Sequence, residues 1–154
     1  MSDATARLAQ TGAAIVAGVE RCLPGWVERQ VAHILDAWGR LDPDARARVG
    51  EDARAAGVVA TARIGEALRS LLAAPVDEQR ATPLEIVRSA YREPTGVLAA
   101  AGVPAVVRDQ FDERAWPDDR YGLVPLTLGD LGDEDLAPLL LAWGMAKAAA
   151  LRGK

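Results

Sequence analysis

Two prolines enclose the stretch that most restricts what this chain can fold into. Asp42 and Pro43 stand together, and no further proline follows until Pro75. Asp followed by Pro is a typical helix start, because the Asp side chain accepts amide hydrogens of the first turn and Pro has no amide hydrogen to satisfy. The pattern predicts one helix from Asp42 to Ala74, roughly 47 Å long. A helix of that length must pack against other helices, so we expect an all-α bundle around it.

The inner face of this long helix is predicted from apolar residues at helical spacing. They are Val49, Ala53, Ala56, Ala60, Ile64, Leu68 and Leu71. The first half of the face has small side chains, which allow a neighbouring helix to approach closely. One such neighbour would be a second copy of the chain, so a homodimer through this face is one hypothesis.

Shorter helices are predicted on both sides of the long one. We expect a helix over residues 3–23 that Pro24-Gly25 breaks, and a second helix from Trp26 to Trp38. Cys22 continues the apolar stripe of the first of these, which predicts a buried, unreactive thiol. Thr82-Pro83 repeats the helix-start pattern and opens a helix over residues 84–92, which Pro94 should end.

The C-terminal part combines an irregular segment with a last helix. Thr95 is a candidate cap for a short helix, and a helix near the C-terminus should follow Asp133 or Asp135. Between them, residues 102–132 contain several Pro and Gly residues and form no regular pattern. We find no convincing strand. The sequence therefore predicts a single all-α domain over residues 1–154, with four to five helices.

Charge is concentrated in the irregular part of the chain. The whole chain carries a net charge of −4, whereas residues 109–135 contain nine acidic residues and two arginines, a net charge of −7. Such a surface repels phosphate, so we expect neither a nucleic-acid partner nor a membrane partner. A loop this long is usually functional or disordered, and its aromatic residues favour an ordered, functional segment.

This segment and its flanks supply the predicted binding surface. Trp, Tyr and Arg are the residue types that dominate protein interfaces, and acidic side chains accompany them here. The candidate residues are Tyr91, Arg92, Arg108, Trp116, Asp118, Asp119, Arg120 and Tyr121.

The acidic residues also permit a magnesium site. Asp109 and Asp112 are three residues apart, and Asp130 and Asp133 repeat that spacing. The spacing resembles the paired acidic motifs of all-α nucleotide pyrophosphohydrolases of the MazG kind, although all four positions are Asp here. The resemblance implies a Mg-dependent hydrolase of phosphorylated small molecules as an alternative function.

Composition narrows the remaining chemistry. One Cys and one His, His33, exclude intramolecular disulfides and Cys-rich metal sites, and leave no second His for a di-iron bundle. The chain has 31 Ala and 16 Arg against 2 Lys, which suggests a high-GC bacterial genome. A single thiol, no signal-peptide pattern and no run long enough to span a membrane predict a cytoplasmic protein.

The leading hypothesis from sequence is a non-enzymatic interaction or regulatory protein that needs no cofactor. It would bind a protein partner or a second copy of itself. Besides the Mg-dependent hydrolase, a sensor that holds an apolar small molecule between helices is a further alternative.

Overall fold

Helices make up the regular structure of the chain. The computed structural model describes residues 3–105, 121, 123 and 127–153, and within this part no strand occurs. The α-helices are α1 (Asp3–Trp38), α2 (Pro43–Ala73), α3 (Pro83–Arg88), α4 (Arg92–Ala100) and α5 (Leu136–Arg152). Single 3₁₀ turns cover Val76–Glu78, Ser89–Tyr91 and Leu128–Leu131. The predicted all-α class is confirmed.

The first helix is longer than predicted, because Pro24 does not break it. α1 continues through Pro24 and Gly25 to Trp38. Proline removes one backbone hydrogen bond, that from its own nitrogen to the carbonyl of Glu20. Buried side chains on both sides of it, Leu23 and Val27 among them, hold the two halves in line.

The predicted long helix is present as α2, and it forms an antiparallel hairpin with α1. Gly39 has a positive φ of 64° and ends α1, and Asp42 accepts a 2.8 Å hydrogen bond from the amide of Ala45 at the start of α2. Near the connection Arg46 pairs with Asp36. The two long helices share the centre of the fold, which refines the prediction of one central helix.

The helices of the hairpin are in close contact where Gly57 faces Pro24. A Cβ atom at Gly57 would lie 3.1 Å from both the Cα and the carbonyl oxygen of Pro24. The inner face of α2 therefore includes Gly57, which the sequence pattern missed, whereas the predicted Ala56 and Leu71 are only half-buried. The other predicted members of that face are buried: Val49, Ala53, Ala60, Ile64 and Leu68.

Two hydrophobic cores lie along the hairpin. The larger core joins the first part of α1 with the end of α2, with α3 and with α5, and it contains Ile15, Leu68 and Trp143. The smaller core joins the other end of the hairpin with α4 and contains Val31 and Leu98. Helix α1 contacts α2, α4 and α5, so it lines both cores.

The start of helix α3 agrees with the prediction, whereas the position of Pro94 in helix α4 does not. Thr82 caps α3 as expected: its Oγ1 accepts from the amide of Glu85, and its own amide donates to the Glu85 carboxylate. Pro94 does not end a helix. It lies in the first turn of α4, where its missing amide hydrogen has no helical acceptor to lose.

The described end of the predicted irregular segment contains one regular turn. Leu128–Leu131 is a 3₁₀ turn, and the Asp130 carboxylate closes it by accepting from the amide and the hydroxyl of Thr127 at 2.7 and 2.9 Å. Helix α5 then begins at Leu136, and Pro138 is accommodated in its first turn. None of the described helices is long and apolar enough to cross a membrane.

Candidate functional site

Helix α5 has two apolar faces, and only one of them is covered. The helix has no charged residue from Leu136 to Ala146. Its buried residues are Leu136, Trp143, Ala146 and Ala150, whose spacing forms one stripe against α1. The opposite face is exposed to solvent, with Leu141 at 70% and Met145 at 65% of full exposure.

The exposed face of α5 follows the 4-3-4-3-4 spacing of a helix-packing seam. Its members are Pro138, Leu141, Met145, Ala148 and Arg152 on α5, together with Glu134 in the turn that directly precedes the helix, and we call this set the α5 seam. Such spacing is typical of the contact line between two paired helices. The two large apolar side chains lie at its centre, and the charged residues lie at its two ends.

Gly144 lies beside the α5 seam, and because it has no side chain the helix backbone is accessible there. A Cβ atom at this position would meet no atom within 4 Å. Glycine in an exposed helix interior destabilises a helix by about 1 kcal/mol relative to alanine. Among the described residues, no contact at Gly144 offsets this cost. The gap gives a neighbouring helix room to approach the backbone of α5.

Polar contacts fix the orientation of α5 on the bundle. Arg21 of α1 donates a 2.7 Å hydrogen bond to Asp133, which directly precedes α5. The same carboxylate accepts from the amide of Asp135. Arg21 and this amide lower the pKa of Asp133, and the Asp133 carboxylate raises the pKa of Arg21.

Lys147 holds the C-terminal half of α5 against the segment that contains Gln79. Its ammonium group lies 5.0 Å from the centre of the Trp143 ring and donates to the carbonyl of Gln79 at 3.4 Å. Both contacts lie on the covered side of the helix, so Lys147 does not add charge to the α5 seam.

A second apolar feature is a groove of about 460 Å³ between α1 and α2. It is lined by Ala9, Ala13, Val16, Ala17, Leu72 and Ala73, and the ion pair between Glu20 and Arg69 closes one end. The groove is partly open to solvent, and most of its lining residues are alanines of α1 and α2.

A third cavity, of about 470 Å³, lies at the smaller core. Trp26, His33 and Asp130 line it together with Tyr121, whose hydroxyl donates to the carbonyl of Val103 at 3.1 Å. His33 is exposed here, and Asp36, three residues further along the same helix, pairs with Arg46.

The predicted binding surface is only partly described. Tyr91 and Tyr121 are both buried, each in a different core, so they stabilise the fold and are not part of an exposed surface. Arg92 is exposed with its guanidinium 5.9 Å from the Tyr91 ring centre. The other candidates lie outside the described residues: Arg108, Trp116, Asp118, Asp119 and Arg120.

Half of the predicted magnesium ligands have structural partners. Asp130 closes the 3₁₀ turn and Asp133 pairs with Arg21, while Asp109 and Asp112 lie outside the described residues. Across 3–105, 121, 123 and 127–153, no three His, Cys, Asp or Glu side chains come together as a metal site. The magnesium hypothesis remains a prediction.

Cys22 is half-buried, which corrects the expectation of a fully buried thiol. Its Sγ lies 3.9 Å from the Asp133 carboxylate. Cys22 packs against the larger core as a partly buried residue at its edge.

Sequence reasoning missed the α5 seam as a candidate site. The signal was present in the sequence, because an uncharged stretch of helix has apolar residues on every side. One neighbouring helix can cover only one of these sides, so another side must remain exposed.

Comparisons of the chain with protein-family models, with curated proteins and with solved structures gave no match.

Proposed function

We propose that this protein is a non-enzymatic interaction protein, and that the α5 seam is its binding surface. The partner is an amphipathic helix with a matching apolar stripe. The observation that carries the proposal is the exposure of Leu141 and Met145 at the centre of an uncharged helix face. Contiguous apolar surface that is exposed on a folded protein usually marks a site of association.

The geometry of α5 supports a helical partner. The part of the seam on the helix, from Pro138 to Arg152, is about 21 Å long and is flanked by small side chains. A groove-binding helix recognises such a surface through apolar residues at three- and four-residue spacing. The fixed orientation of α5, through Asp133 and Lys147, means that the surface is formed before the partner arrives.

We further propose that the protein acts in the cytoplasm of a high-GC bacterium. This placement is supported by the Ala- and Arg-rich composition and by the single thiol.

A second candidate function is the binding of an apolar small molecule. The groove of about 460 Å³ between α1 and α2 favours it, because its volume is in the range of small-molecule sites and its lining is apolar. Its ligand would be an extended apolar chain, since the groove is open and follows the helices.

Affinity capture with matched variants tests the interaction function. Leu141→Glu places a charge at the centre of the α5 seam, and Val59→Glu places one at an equally exposed position of α2, where Val59 is 67% exposed. We expect the amount of captured protein, which includes untagged copies of this chain, to be at least tenfold lower for Leu141→Glu than for wild type. The amount captured by Val59→Glu should equal that of wild type. Equal capture by wild type and Leu141→Glu would contradict the proposal.

A further inference from the structure

We propose that the helix that binds the α5 seam is α5 of a second copy, packed antiparallel in a symmetric dimer. The inference rests on the proposed function, because it names the partner of the same surface. It is carried by the sequence of the seam, which matches itself when one copy is reversed.

The apolar part of the seam is self-complementary. When two copies of α5 run antiparallel about Trp143, Leu141 of one chain lies opposite Met145 of the other, and Pro138 lies opposite Ala148. Each large side chain thus meets the other large side chain at the centre, and each small one meets a small one toward the ends. Trp143 itself stays on the covered side of each helix.

The charged ends of the seam select the antiparallel arrangement. Glu134 lies in the turn directly before α5, so the same register brings it close to Arg152 of the other copy, at both ends of the dimer. A parallel pair would instead place Glu134 beside Glu134 and Arg152 beside Arg152. Antiparallel packing also brings opposite helix dipole ends together, so both electrostatic effects favour the same arrangement.

The size of the surface predicts a weak dimer. A helical seam of about 21 Å with mostly small flanking residues buries less area than a standard interface of about 800 Å² per partner. Gly144 lets the two backbones approach closely, which improves the packing but does not enlarge the area. We therefore expect a dissociation constant on the order of micromolar.

Sedimentation velocity over a concentration series tests the dimer. We expect wild type and Val59→Glu to dimerise equally and Leu141→Glu to be monomeric at every concentration, with circular dichroism showing that each variant is folded. Gly144→Leu should weaken the dimer at least tenfold, while Gly96→Leu should not, because Gly96 is also an open helical glycine but lies on α4. A monomeric wild type overturns the inference, and so does a dimer that survives Leu141→Glu.

Charge reversal tests the orientation. Arg152→Glu and Glu134→Arg should each weaken the dimer several-fold, and the double variant should recover the wild-type dissociation constant. Additive loss in the double variant overturns the antiparallel register.

The two proposals fail in different ways. If wild type is monomeric but Leu141→Glu still loses partners in the capture experiment, the α5 seam is a binding surface for another helix. If Leu141→Glu affects neither experiment, the proposed function is wrong.

Discussion

Asp133 connects the start of α5 to α1, and its contribution to stability should depend on pH. Its pKa is lowered by Arg21 and by the amide of Asp135. A carboxyl group with a lowered folded pKa stabilises the protein fully above its unfolded pKa of about 3.9, and this stabilisation is lost as the pH falls through the folded pKa.

We expect Asp133→Asn to lower the melting temperature at pH 7. The deficit should shrink as the pH falls through the lowered folded pKa of Asp133, because the wild-type carboxyl is then protonated as well. Glu66→Gln is the matched control, because Glu66 is exposed on α2 and lies outside the α5 seam, and it should leave the pH dependence of the melting temperature unchanged. Thermal unfolding followed by circular dichroism measures both. A deficit of Asp133→Asn that is equally large at low pH would show that the ion pair is not its cause.

Contacts between nearby residues could be predicted from sequence, and distant ones could not. The caps formed by Asp42 and Thr82 depend on residues three positions away, so the sequence pattern contains all of the information. The pair of Arg21 and Asp133 joins residues that are 112 positions apart. Nothing local identifies Arg21 among the 16 arginines as the partner.

The contact of Gly57 with Pro24 makes the crossing of α1 and α2 sensitive to a single methyl group. We expect Gly57→Ala to be destabilising, because the new Cβ would meet backbone atoms, which cannot move aside as a side chain can. Overpacking of this kind costs about 1–3 kcal/mol.

Gly50 provides the matched control on the same helix. It has open space around it, so Gly50→Ala should stabilise the protein by up to ~1 kcal/mol through helix propensity alone. Urea unfolding of the two variants measures the difference. If Gly57→Ala is stabilising as well, the two helices are further apart at this point than described.

The effect of a proline on a helix could be predicted from sequence at helix starts but not inside a helix. Pro24 was predicted to break a helix because proline costs about 3 kcal/mol in a helix interior. Burial of Leu23, Trp26 and Val27 around it offsets this cost, and burial depends on α2 and α5, which a local pattern does not include. The helix starts at Pro43 and Pro83 were predicted correctly, because proline at the first position needs no tertiary support.

For the molecule as a whole, magnesium separates the interaction function from the hydrolase alternative. We expect millimolar Mg²⁺ to leave the melting temperature of wild type unchanged, because Asp130 and Asp133 already have protein partners. Differential scanning fluorimetry with and without Mg²⁺ measures this. A rise of several degrees that is lost in Asp109→Asn would favour the hydrolase, since a ligand that binds the folded state raises its stability.

The helical class could be predicted for the whole chain, but the location of the candidate site could not. Charged residues mark the solvent side of most helices here, as in α2, where Arg54 and Arg63 point outward to pair with Glu28 and Glu93. Helix α5 has no such marker between Leu136 and Ala146. Only its packing against α1 decides which apolar face is covered and which remains available.

The two apolar faces of α5 also matter for the folding kinetics of the chain. Helix α5 follows the hairpin in the sequence, and its contacts with α1 close a very long loop, so it docks onto a hairpin that can already have formed. Docking through the outer face would bury Leu141 and Met145 but would separate Asp133 from Arg21 and Lys147 from the Gln79 carbonyl. These polar contacts add little area, yet they give the correctly docked helix its advantage over a reversed intermediate. Refolding should therefore slow when Arg21 or Lys147 is removed, even if equilibrium stability changes little.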